Sequence, residues 1–361
     1  MPDPPGLGKT GGAGAPAAPQ PGKRPSGIER VASFIQRNYS YMVFSMVFLG
    51  IVAGIAAPMH VQSLKPLMLP LVSIMVYAMT VTIRFRELVQ VTKKLKQITL
   101  GLLLNFILLP LLCFFLALAF LSSRPEWAAG FILMGTVPCA GMNVVWTGLL
   151  KGDVPLALIL AALTMILGIV TIPGITALLA GVYVSVNAAD LLWSIATVLA
   201  IPLILGILTR QALEAKLGKS LPKYLPAFPP VSAITAMILM FSMLAINMAM
   251  VPGDLSIVVL LVLPPIILFP IAFGLSHLIC SKVLCLPLGE TNAIVYSSGM
   301  KHLPLAMGIA FASFGAGAAL PIAVSAAFQT VNASVFYRVF QRLGRVNAPI
   351  LRDAGQREIG S

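Results

Sequence analysis

Lys301 and His302 stand inside an apolar run from Asn292 to Gly315, NAIVYSSGMKHLPLAMGIAFASFG. Lys301 lies about 12 residues from Gly289 and about 14 from Gly315. At helical rise that is roughly 18–21 Å from either end of a membrane-crossing segment. A lysine stem does not easily bring its ammonium to water from that depth. A charge at the bilayer centre costs several kcal/mol and usually marks a substrate or ion pathway. Such an ammonium could meet an anion, stand in for a bound cation or exchange a proton. The alternative is structural: it pairs with a backbone carbonyl and locks the packing. His302 divides between helix packing and a cavity role. Ser297 and Ser298 divide between a cavity role and back-bonding to their own helix. Gly299 and Pro304 are expected to interrupt the helix.

A second constellation runs from Pro138 to Asp153, PCAGMNVVWTGLLKGD. Pro138 and Gly141 interrupt this span. The Cys139 thiol is either a soft ligand or a small apolar filler. Asn143 is expected to cap the broken half-helix, with a solute or ion contact as its second role. Trp146 is read as interior packing, and Lys151–Asp153 as a tight connection.

The elements that must position these residues follow from composition. Of 361 residues, 58% are hydrophobic and 10% charged, against roughly a quarter charged in soluble domains. About ten apolar runs have membrane-spanning length: 39–58, 66–84, 98–122, 128–150, 154–182, 190–209, 228–251, 255–280, 290–314 and 316–340. Residues 1–35 read as a disordered, basic cytoplasmic tail without the apolar core of a signal peptide. Residues 36–341 form the transporter domain, and 342–361 a cytoplasmic C-terminal tail. The net charge of +13 is topological. With both termini inside, 21 of the 24 Lys and Arg fall on the inner side, and only Lys65 and Arg124 outside. That asymmetry is the positive-inside rule and argues against a nucleic-acid footprint. Cys113, Cys139, Cys280 and Cys285 carry no disulfide pattern, and Cys280 and Cys285 lack the further ligands a metal site needs.

Ten spans divide into five and five, 36–185 and 186–341. Spans 4 and 9 hold matching places in the halves, run in opposite directions, and are both interrupted. The expected fold is therefore an all-α membrane protein of two inverted five-helix repeats, with broken helices 4 and 9 crossing at the midplane. Unwound backbone at that depth must be buried or line a cavity. Half-helix N-termini there favour anions.

The pattern PCxxMxxVWxxLxKGD resembles the fourth span of the arsenite permease family, where a cysteine in this position is associated with As(III) recognition. The NVV and KGDV portions are similar to the bile acid:sodium symporter family of the same superfamily. The segment SSGMKHLPLAMGIA resembles that family's glutamate-x-Gly-Met-Gln-Asn segment. The resemblance covers essentially the whole chain after residue 35. It places Asn143 on a sodium-ligand asparagine, Ser297 on the span-9 glutamate and Lys301 on the glutamine after Gly-Met. The span-5 hydroxyl ligands fall near Ala157 and Ala161. A carboxylate is thus lost and an ammonium gained, which opposes the family's sodium sites electrostatically.

The expected function is a secondary active carrier of a small organic anion working by alternating access. An arsenite efflux permease that uses Cys139 is the alternative. Nothing marks the chain as an enzyme: there is no GxxxxGK[ST], HExxH or GxSxG. No cofactor or metal is expected, and the coupling ion is a proton or sodium. The expected partners are a small anionic solute or arsenite, and membrane lipid. The expected location is a prokaryotic cytoplasmic membrane, and the chain carries no signal for an oligomeric state.

Overall fold

The computed structural model describes residues 27–82, 94–184, 188–248 and 255–358. The sequence-expected tail over 1–26 and the basic stretch 83–93 lie outside the described residues. The described residues are helical, without a strand. The helices are α1 (Gly27–Ala56), α2 (Pro58–Val61), α3 (Met68–Val81), α4 (Leu95–Leu103), α5 (Leu109–Phe120) and α6 (Pro125–Thr136). Then follow α7 (Met142–Leu149), α8 (Val154–Ala180), α9 (Ala188–Ile195), α10 (Ile201–Leu217) and α11 (Phe228–Met248). The chain ends with α12 (Leu255–Leu278), α13 (Leu288–Gly299), α14 (Leu303–Phe314) and α15 (Ala316–Glu358).

Two boundaries differ from the sequence expectation. α1 begins at Gly27, so residues 27–35 are helical where a disordered tail to residue 35 was expected. Those first turns, about two and a half, run straight into an apolar helix whose Ile35 is buried. α15 runs unbroken to Glu358, through the segment read as a C-terminal tail.

Among the described residues, seven helical segments are long and apolar enough to cross a membrane. Tyr41–Ala56 and Leu303–Phe314 are shorter apolar helices. Three expected spans account for the difference from ten. Span 1 keeps only the shorter apolar helix Tyr41–Ala56, and spans 4 and 9 are each divided into two helices, α6 with α7 and α13 with α14, none of which alone reaches bilayer length. From Trp127 to Thr136, and again from Thr291 to Gly299, every residue is buried. Helices covered on every side lie in the interior of the bundle, and the polar groups of the second, Thr291, Asn292, Ser297 and Ser298, are buried with it. Around these lie the long outer helices. α1 and α3 pack on α11, whereas α12 and α15 cover α13.

Several prolines sit where their missing N–H is harmless. Pro110 and Pro202 open α5 and α10 after π-turns at Leu104–Leu108 and Ala196–Ala200. Those wider turns shift the backbone ladder by one residue. Pro173 sits inside α8, and Pro264, Pro265 and Pro270 inside α12.

Candidate functional site

α6 stops at Thr136, and Pro138, which has no N–H to donate, lies in the gap before α7 opens at Met142. α13 stops at Gly299, and α14 opens at Leu303. The two gaps pair antiparallel, with Cys139 opposite Lys301. The Ala140 N–H donates to Met300 O at 2.8 Å, and the His302 N–H to Pro138 O at 2.9 Å. Each gap thus satisfies backbone groups that the other leaves free, a requirement at apolar depth.

The second gap is shorter than the sequence suggests. Ser297, Ser298 and Gly299 remain helical, and Pro304 lies in the first turn of α14, where a proline fits without breaking anything. Gly299 serves close packing: a Cβ there would meet the Phe273 ring at 2.5 Å. Gly141 also sits close to its neighbour, with Met79 Cε 3.3 Å from where a Cβ would be.

Lys301 is only 2% exposed. Its ammonium donates to Asn105 O and Asn105 Oδ1, both at 2.8 Å, and to Val137 O at 2.9 Å. Three bonds use its three donors, and no acceptor among them is a carboxylate. The Phe106 ring lies 5.9 Å from Nζ. Asn105 sits in the Leu104–Leu108 π-turn, a local geometry that often marks functional positions. Its Nδ2 donates to Ser297 O at 3.0 Å.

Asn143 does not cap α7; the helix has no side-chain cap. Its amide reaches across instead, with Nδ2 donating to Ser297 Oγ at 2.7 Å and more weakly to Ala157 O at 3.3 Å. Its Oδ1 is buried without a protein partner. Ser298 turns away, donating to Ser276 Oγ at 3.0 Å. The Cys139 Sγ lies 3.3 Å from Thr164 Oγ1 and is fully buried. His302 accepts from the Leu305 N–H through Nδ1 at 3.4 Å, which caps α14. The network therefore assigns its proton to Nε2, which faces Met79 Sδ at 3.2 Å. Trp146 stacks on Tyr296, with centroids 5.9 Å apart.

A cavity of about 380 Å³ lies between α1, α3 and α11 on one side and the crossing on the other. That volume suits a small molecule. Gly141, Met300, Lys301, His302, Pro304 and Gln329 line the crossing side, and Met75, Met79, Ser232 and Met240 line the opposite wall. Among the described residues, no Asp or Glu lines it. Cys139, Asn143, Ser297 and Ser298 do not line it either; they stand behind the crossing.

Sequence reasoning missed Asn105 and Gln329. Both carry the signal used for Lys301: a polar side chain inside an apolar span, in GLLLNFILLP and SAAFQTV. It also missed an ionic cluster at one end of the crossed helices. Lys94 pairs with Asp153 and, at 3.0 Å, with Glu290 Oε1. Gln97 donates to Glu290 Oε2 at 2.9 Å, and Asp153 caps α8 through the Leu156 N–H at 3.0 Å. Burial pulls the Lys94 pKa down, but the two carboxylates outweigh it and hold it above its ordinary value. The expected tight connection at Lys151–Asp153 is thus also a joint, binding the starts of α4, α8 and α13.

Comparison with known proteins adds an independent line. Residues 69–254 match the sodium bile acid symporter family. The probable sodium/metabolite cotransporter BASS1, chloroplastic, of Arabidopsis thaliana is 28% identical over 68% of this chain, an alignment spanning 60% of that protein. The arsenical-resistance protein Acr3 of Corynebacterium glutamicum is 25% identical over 78% of this chain and 80% of its own length. The uncharacterized sodium-dependent transporter YocS of Bacillus subtilis is 25% identical over 85% of this chain and 92% of its own.

Proposed function

The chain belongs to the sodium bile acid symporter family, and from that premise we propose that it moves a small organic anion with an apolar body by alternating access. It is an integral, multi-pass membrane transporter. The observation that carries the solute class is the cavity beside the crossing: largely apolar walls, polar groups at Ser232, His302 and Gln329, and no carboxylate among the described residues. Such a site offers nothing to an organic cation. A single anionic head can lie toward the N-termini of α7 and α14, whose dipoles favour negative charge.

The antiparallel pairing of the two gaps supports two inverted repeats, 36–185 and 186–341. The cavity reaches Ile35, Thr82 and Pro229, which the charge pattern assigns to the cytoplasmic side. Further toward the other side α3 and α14 are in close contact, since a Cβ on Gly308 would meet Val72 at 2.4 Å. An inward-facing state of the carrier has this shape. The basic termini and loops then face the cytoplasm and anionic lipid, in a prokaryotic cytoplasmic membrane.

At the crossing, Lys301 takes the role of a free cation. Three oxygens surround its ammonium at hydrogen-bonding distance, and Ser297 stands where the resemblance implies a carboxylate. Transport then requires no Na+ at this point. The arsenite reading gains no geometric support, because the Cys139 thiol faces Thr164 and not the cavity.

The test is uptake by purified protein in liposomes. Solutes are small carboxylates, p-toluenesulfonate and arsenite, under separate Na+ and proton gradients. Concentrative uptake of p-toluenesulfonate or a carboxylate is expected. Transport of arsenite alone would overturn the solute class.

A further inference from the structure

We propose that Gln329 is a positioning residue of the solute site, holding the Lys301 peptide in place and exposing that hold to whatever occupies the cavity. The proposal rests on the carrier reading for its functional half only.

In an antiparallel pair, a residue's N–H and C=O point to one edge and those of its two neighbours to the other. Met300 and His302 use their edge on Ala140 and Pro138. The N–H and C=O of Lys301 therefore point the opposite way, where a third strand would lie. No strand is there. The Gln329 carboxamide from α15 fills the place: its Oε1 accepts from the Lys301 N–H at 2.8 Å, and its Nε2 donates to Lys301 O at 3.0 Å. A carboxamide carries one acceptor and donors on one planar group, so it can mimic a peptide on both counts. On the opposite edge, Thr164 from α8 meets the Cys139 N–H through Oγ1 at 3.3 Å. The crossing is thus a two-strand patch edged by side chains from α8 and α15, the helices that come after α7 and α14.

The two edges are not equivalent in position. Thr164 does not line the cavity, whereas Gln329 does, beside Thr330 and His302. The Lys301 ammonium points away from the cavity into the Asn105 and Val137 oxygens. A solute in the cavity therefore meets Lys301 through its backbone and through Gln329, the group that fixes that backbone. A shift of the Gln329 amide moves the peptide that carries the ammonium.

Gln329→Glu offers a discriminating variant. A protonated carboxyl has one O–H donor and one C=O acceptor and reproduces the carboxamide pattern. An ionised one accepts only and leaves Lys301 O without this donor. Among the described residues, the ionisable ones that share the cavity lining with Gln329 are His302 and Lys301, whose ammonium points away from it. p-Toluenesulfonate stays anionic throughout, so any pH effect belongs to the protein.

The experiment has two arms on the full chain. In lipid nanodiscs without solute, amide hydrogen exchange at Lys301 should speed up at least tenfold in Gln329→Met and remain unchanged in Thr330→Val. In liposomes, Gln329→Glu should raise the KM for p-toluenesulfonate about tenfold at pH 8 and return toward the parent value at pH 5.5, with the parent compared at each pH. Unchanged exchange in Gln329→Met overturns the clamp. A Gln329→Glu KM equal to the parent's at pH 8, or raised equally at both pH values, overturns its role in the solute site. If the parent takes up no p-toluenesulfonate, the proposed solute class fails while the exchange arm still judges the clamp.

Discussion

The Lys301 ammonium meets three neutral oxygens and no carboxylate, so its charge is solvated by the chain without being cancelled. Removing it leaves acceptors that lose their donor in a dry place, at about 1–3 kcal/mol per buried group. Lys301→Gln should reduce p-toluenesulfonate uptake more than tenfold, and part of the residual rate should depend on added Na+. Lys301→Arg should not rescue, because a planar five-donor fork does not fit a site formed around a compact ammonium. Full uptake by Lys301→Gln would show the ammonium to be dispensable. Cys139→Ala should leave uptake within about twofold, since the thiol stands behind the crossing. Growth of an arsenic-sensitive host checks the other chemistry: resistance conferred by the parent and lost in Cys139→Ala would restore the thiol mechanism. Lys301 was legible in the sequence because a charge at mid-span has few structural excuses. Its partners were not. A backbone carbonyl such as Val137 O has no sequence signature, and the π-turn presenting Asn105 depends on the packing of α4 and α5.

Helix breaks were easier to locate than to delimit. Pro138 and Gly141 fall in or beside the first gap, but Pro304 opens α14 and Gly299 ends α13, because proline at a first turn is compatible with helix. Direction across a helix was least legible: whether Asn143 caps α7 or reaches Ser297 depends on where α13 lies. At this scale the Lys94 joint makes a prediction. The pKa of Lys94 is raised, so the pair contributes fully below the ordinary lysine value of 10.5 and is lost as pH rises through the elevated one. Lys94 is about a third exposed in its side chain, and screening limits the effect to about 1 kcal/mol or less. Lys94→Met should therefore lower Tm modestly and equally at pH 7 and pH 9. The gap to the parent should close above pH 10.5. A gap that widens with alkalinity would contradict the assignment.

For the molecule as a whole, charge distribution is the broadest sequence signal. It divides 21 of 24 cationic residues from two and predicts both termini on the cytoplasmic side. Reporter fusions at residue 1 and residue 361 check this, and a C-terminus outside would remove the paired-repeat account. Composition and the length of the apolar runs made the membrane class legible. The cavity was not, because it arises where α1, α3 and α11 face the crossing, a contact between segments distant in sequence. The central claim is that the crossing carries its own cation. Its most direct test is the initial rate of p-toluenesulfonate uptake into liposomes with Na+ replaced throughout by choline, at constant pH. The account predicts an unchanged rate in the parent protein. Uptake that vanishes without Na+ would contradict it.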